Sequence, residues 1–190
     1  AQATGGDLRF AAGGKPLAYQ IEQWDAAKGA ASIWLRIPSI KGNAHQKIDM
    51  FWGKPDAQSE SSGKAVFNES NGYLSVWHME DPVKDEVGTV ESKDTGTTPA
   101  AGMIGMSRRF EPGKGISCGE KITSYPTGSS PHTTEAWFRA ERPNTAVLAW
   151  GNEAGQGKVM MLYESPPHMN MACYFSGADV KGGSTLAPAQ

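Results

Sequence analysis

Hydrophobic and polar side chains alternate with a period of two along much of this chain. In the run Ala31-Ser32-Ile33-Trp34-Leu35-Arg36-Ile37-Pro38, residues Ile33, Leu35 and Ile37 fall on one face while Trp34 and Arg36 fall on the other. That is the pattern of a half-buried strand. A Gly-Asn turn then leads to a second run, Lys47 to Gly53. Upstream, Gly5-Gly6, Gly13-Gly14 and Gly29 separate the short apolar pieces Leu8–Phe10 and Leu17–Ile21, as turns separate strands. Tyr73–Met79 carries large side chains on both faces, which predicts a strand inside a sandwich. Further strands are predicted at 106–110, 116–118, 133–140, 146–150, 159–163 and 169–175, with Pro- and Gly-containing turns between them. No long window holds a helical apolar stripe, so helices should be few and short.

These elements imply an all-β fold, an antiparallel β-sandwich with a second, smaller β-module. The polar, turn-forming stretch 54–64 precedes the expected junction, which divides the chain into a β-module at 1–70 and a sandwich at 71–190. Between 81 and 105 the apolar density drops and Asp, Glu, Thr and Gly dominate, the composition of a long loop on a rigid sheet.

At 190 residues the chain is long enough to bury real cores. Eighteen basic against twenty acidic residues, without a block of like charge, favour neither nucleic acid nor an anionic membrane as partner. No apolar run is long enough for a membrane span. The N-terminus lacks a signal-peptide profile, but Ala1 to Asp7 reads like the interior of a longer polypeptide, so a leader or anchor upstream stays open. Cys118 and Cys173 are compatible with one disulfide outside the cytoplasm and equally with two buried thiols.

Catalytic signals are absent. No E-x-D-x-x-E run places paired carboxylates on one strand face for glycoside cleavage. His45, His78, His132 and His168 lack the spacing of a zinc site. There is no G-x-S-x-G elbow, and Gly113-Lys114-Gly115 lacks the helix that phosphate binding needs.

Two stretches resemble known families. From Gly5 to Phe67, the ordered segments D-L-R-F, Y-Q-I-E-Q-W, S-I-W-L-R-I-P and I-D-M-F-W-G-K are similar to the later part of a bacterial β-domain of unknown function. That domain often precedes a concanavalin A-like jelly roll in secreted and envelope proteins, and some members are joined to MotA/TolQ/ExbB-type proton-channel segments. From Tyr73 onward, L-S-V-W-H-M-E-D, D-T-G, G-M-I-G-M-S-R-R-F-E-P-G-K-G-I and T-T-E-A-W-F-R resemble the opening half of a laminin-G-like, concanavalin A-like domain. Set beside these families, the first module lacks its opening strands and the second its closing strands. The expectation is either a fragment, completed by further polypeptide or by self-association, or a reduced fold.

The jelly-roll resemblance implies sugar binding on a sheet or loop rim, sometimes through calcium. Aromatic rings stack on sugar rings while polar groups take the hydroxyls. Trp150 and Tyr163, with Asn152 and Glu153 in the flanking loop, are the candidate ligand-binding residues. Calcium needs six to eight oxygen ligands, for which Asp81, Asp85 and Asp94 in the long loop are the candidates, with no EF-hand spacing among them. The expected function is a non-catalytic recognition module of an extracytoplasmic bacterial protein, binding a carbohydrate or cell-surface ligand in glycan binding or adhesion. The alternative is a structural, assembly or sensor domain of an envelope complex with a proton-channel-type membrane protein. Polysaccharide hydrolysis ranks third.

Overall fold

The computed structural model describes residues 1–120, 122–127, 130–139, 141–142, 144–151, 159–163, 171–174 and 180–182. The chain divides into two compact units, Ala1–Thr123 and Ser124–Gln190.

The first unit opens with β1 (Arg9–Ala12), β2 (Lys15–Leu17), β3 (Tyr19–Asp25), β4 (Ala30–Leu35) and β5 (Asp49–Phe51). β1 and β2 form a hairpin closed by Gly13 and Gly14, both at positive φ as a tight two-residue turn requires. β5 adds antiparallel to the other side of β1, so the sheet order is β2-β1-β5. β3 and β4 pair as a second hairpin. Leu8, Phe10, Leu17 and Tyr19 form the buried core, with Ile21, Trp24, Ile33 and Leu35 packed against it. The Tyr19 hydroxyl is satisfied there by donating to the Leu8 carbonyl at 2.7 Å. Ile33 and Leu35 thus face the core as the alternation predicts.

β3 breaks the alternation once. Ile21 pairs with Ile33 but Gln23 pairs with Ser32, which makes Glu22 a bulge. One extra residue reverses the phase of a strand. Tyr19 and Ile21 before the bulge and Trp24 after it therefore all reach the same core. Gln20 and Glu22 go to the opposite side, together with Trp34.

On that side lies a one-turn helix α1 (Gly63–Val66), capped by Ser62, whose hydroxyl accepts from the Ala65 N–H at 3.3 Å. Val66, Phe67 and Val87 make a second buried cluster with Ala18 and Val76. Residues 73–79, expected as a strand, are irregular. In place of a ladder, the Asp85 carboxylate accepts from the Val76 N–H at 2.9 Å and the Glu86 N–H reaches the Val76 carbonyl at 2.8 Å. Side-chain bonding of this kind offers backbone an alternative to sheet pairing. The unit continues through position 70 without interruption, since Gln20 bonds both His78 and Glu86.

The rest of the first unit is small antiparallel pairs. β6 (Lys93–Asp94) pairs with β9 (Ile116–Ser117), and β7 (Thr98–Ala101) forms a hairpin with β8 (Met106–Arg109). Cys118 is a half-buried free thiol, and burial pushes its pKa up.

In the second unit β10 (Thr145–Trp150), β11 (Val159–Tyr163), β12 (Met171–Tyr174) and β13 (Val180–Lys181) form an antiparallel meander in chain order. Residues 133–139, also expected as a strand, find no ladder partner among the described residues, and Trp137 is 83% exposed. Position 140 lies outside the described residues. Among the described residues the chain is all-β, built of small antiparallel sheets with one short α-helix and a 3-10 turn at Glu69–Asn71.

Candidate binding groove

Pairing of Arg9 with Phe51 places both side chains on the face of the β2-β1-β5 sheet opposite the one carrying Phe10 and Leu17. Between this outer face and the segment 54–60 lies an open groove of about 500 Å³, lined by Asp7, Arg9, Phe51, Trp52, Lys54 and Glu60, with Asp56, Ala57 and Gln58. That volume is in the range of small-molecule sites. Phe51 is 55% and Trp52 58% exposed. Water-exposed rings of this size are a cost unless something covers them.

The groove is held rigidly. Gln2 donates its side-chain amide to the carbonyls of Pro55 and Ala57 at 2.9 and 3.1 Å, which fixes the outer wall to the N-terminal turn. Arg9 spans the gap, donating to Leu8 O and Gln58 O at 2.5 and 2.7 Å and pairing with Glu60 at 3.0 Å. Asp7 is buried and accepts from the backbone N–H groups of Gln2 and Gly53 at 2.6 and 2.7 Å. These donors, Gln2 foremost, hold its carboxyl below the usual carboxylate range. Gly53, at φ 106, turns the chain directly after Trp52 in a conformation that side-chain-bearing residues avoid.

Another set of titratable side chains lies elsewhere, with His78, Glu22 and Glu86 buried. His78 is stacked on Trp34 at 5.9 Å, bonds Gln20 at 3.0 Å through Nε2 and faces Glu22 at 3.5 Å through Nδ1. Glu22 also accepts from the Trp34 indole N–H. Gln20 passes the chain on to Glu86 at 2.8 Å, and Glu86 meets Lys84 at 3.0 Å. The hydrogen bond to Glu86 is the main reason the Lys84 ammonium sits above the ordinary lysine range. His78, Glu22 and Glu86 are nearly inaccessible, so the network reads as a buried polar clamp that fastens 78–86 to β3. Glu86 Oε1 is met only by the Lys84 ammonium, while Gln20 ties Glu86 to His78, so the network specifies one packing.

The residues singled out from sequence have other surroundings. Trp150 is half-buried, its indole N–H donates to Pro126 O at 2.7 Å, and the rings of Tyr125 and His132 pack edge-on against it at 5.8 and 5.3 Å. Its ring and its donor are both engaged in holding the 125–132 segment. Tyr163 sits in β11 opposite Thr145, and Asn152 and Glu153 lie outside the described residues.

The three aspartates are not brought together. Both oxygens of Asp85 are occupied by the loop backbone, with Thr89 N–H at 2.9 Å and Val87 N–H at 3.1 Å beside Val76. Asp81 and Asp94 share a cation from the chain itself: the buried Arg108 guanidinium pairs with Asp81 at 3.2 Å and with Asp94, and donates to the Thr97 hydroxyl at 2.9 Å. The Thr97 backbone N–H is the largest influence holding the Asp94 carboxyl below its usual range. Among the described residues no group of three or more His, Cys, Asp or Glu side chains is disposed to hold a metal ion.

Phe51 and Trp52 escaped the sequence reading, although Met50-Phe51-Trp52 did carry a signal. Three consecutive large apolar side chains cannot all face inward on a strand of period two.

Residues 4–79 match the family model described as a domain of unknown function, DUF2341. The match includes every residue lining the groove, as well as Gln20, Glu22, Trp34 and His78 of the buried clamp. No curated protein and no solved structure matches the chain. No described helix is long and apolar enough to cross a membrane.

Proposed function

We propose that this chain is a non-catalytic recognition module that binds a carbohydrate in the Phe51–Trp52 groove. The observation that carries the reading is the pairing of two largely exposed aromatic rings with a rigid wall of polar groups. Sugar rings present apolar C–H faces that stack on aromatic planes, and their hydroxyls need both donors and acceptors. Trp52 and Phe51 supply the planes, Asp56 and Glu60 the acceptors, and Lys54 a donor. Preorganisation by Gln2, Asp7 and Arg9 lowers the entropy lost on binding. Arg9 and Asp7 are consumed in building the groove, which suits holding a ligand better than transforming one. The extracytoplasmic setting and the jelly-roll class of the later part of the chain belong to the same proposal and rest on the resemblances of the sequence.

Affinity electrophoresis of the whole chain through gels containing neutral polysaccharides tests it. A retarded wild type, with Trp52→Ala and Phe51→Ala each weakening retardation about tenfold, is the expected result for aromatic anchors at the centre of a site. Trp150→Phe should leave retardation unchanged. Retardation that survives Trp52→Ala refutes the assignment.

A further inference from the structure

We propose that the loop joining β4 to β5, residues 36–48, is a docking surface for an anionic lipid bilayer. Residues 38–47 are ten consecutive exposed positions. They hold Lys41, His45 and Lys47, and Arg36 stands at their entrance. No acidic residue occurs between Arg36 and Asp49, which pairs with Lys47 at 2.7 Å. The chain as a whole carries a net charge of −2, so this loop is a local reversal of sign that whole-chain composition conceals. Beside Lys41, in the same exposed run, Ile40 is 75% exposed.

Cations alone would suit any polyanion; the apolar side chain beside Lys41 selects a bilayer. Lysine and arginine side chains reach the phosphates of headgroups while an apolar neighbour enters the boundary with the acyl chains. Each cation near an anionic leaflet strengthens binding by a factor of about five, and the attraction falls with salt. The chain would then lie on a membrane surface without spanning it.

Co-sedimentation of the full chain with vesicles decides the matter, using phosphatidylcholine alone and phosphatidylcholine mixed with phosphatidylglycerol. Binding to the mixed vesicles only, weakened by salt, is expected. Ile40→Ser and Lys41→Glu should each lower the partition coefficient about fivefold or more. Both side chains are exposed, so the unfolding midpoints of the variants should match wild type. Equal binding to both vesicle types overturns the proposal. So does Ile40→Ser leaving partition unchanged; if dextran sulfate in solution is then also bound, the loop recognises soluble polyanions instead.

Discussion

Gly63 begins α1 directly beneath the buried clamp, and replacing it by alanine tests whether that clamp holds the first unit together. An alanine methyl there would stand 1.9 Å from Oε2 of Glu86, 2.9 Å from its Cδ and 3.0 Å from Nε2 of Gln20. Normal contact needs about 3.5 Å, so the carboxylate must retreat by roughly 1.5 Å. On a free surface such a retreat would be cheap. Here Glu86 is buried and bonded to Gln20 at 2.8 Å and to Lys84 at 3.0 Å, and moving it breaks the first contact and stretches the second. A hydrogen bond to a charged group is worth about 1.5–3 kcal/mol, and the amide left behind is desolvated. Alanine recovers about 1 kcal/mol at most through helix propensity and a less flexible unfolded chain. The net expectation is a loss of about 2 kcal/mol, measured by urea unfolding of the whole chain followed by tryptophan fluorescence. In the Glu86→Ala background the 1.9 Å clash is gone and only the Gln20 amide at 3.0 Å remains, so Gly63→Ala should become close to neutral, which gives a coupling of about 2 kcal/mol. A Gly63→Ala protein as stable as wild type, or additive effects in the cycle, would refute the reasoning.

The remaining expectations concern the other polar centres. Arg108→Met should destabilise the first unit by about 2–3 kcal/mol in thermal or urea unfolding, below the full cost of breaking a buried pair because Asp81 is largely exposed. Millimolar calcium should leave the wild-type midpoint unmoved, since Arg108 already stands between Asp81 and Asp94; a calcium-dependent rise would contradict that. Asp7 and Asp94 have folded pKa values below their unfolded ones, so they stabilise above the ordinary carboxylate value and that contribution disappears as pH falls through the lowered values. Asp94→Asn should therefore flatten the acid limb of a stability–pH profile. Lys84 has the opposite sign: its contribution is complete below the ordinary lysine value and is lost as pH rises through the raised one, so Lys84→Met should flatten the alkaline limb. Trp150→Phe, which removes the donor to Pro126, should cost about 1 kcal/mol in unfolding of the second unit while leaving the first unit's transition in place.

Much of the strand content was legible because it is local. β4 was readable from Ile33 and Leu35, and β10 and β11 from their β-branched and large apolar runs, as the period of two is written in neighbouring residues. Tyr73–Met79 misled because its composition suits a strand while Asp85, several residues later, takes up the Val76 N–H. For the same carboxylate, the sequence shows that an acidic side chain is present but not that backbone donors surround it.

What the sequence alone determined is the all-β character and the turns at Gly13-Gly14 and Gly29, because alternation and glycine placement act over a few residues; Leu17–Ile21, one apolar piece in the sequence, is divided between β2 and β3. Only the tertiary structure decided where function could reside. The groove joins residues 7–9 to 51–60, the clamp joins 20–22 to 78–86, and Arg108 returns to Asp81 and Asp94. Such meetings depend on register and on the phase reversal at Glu22, which turns Trp24 into the core and leaves Gln20 and Glu22 facing His78. Which aromatic rings remain in water is settled by how the sheets pack, and that is a property of the whole chain rather than of any segment.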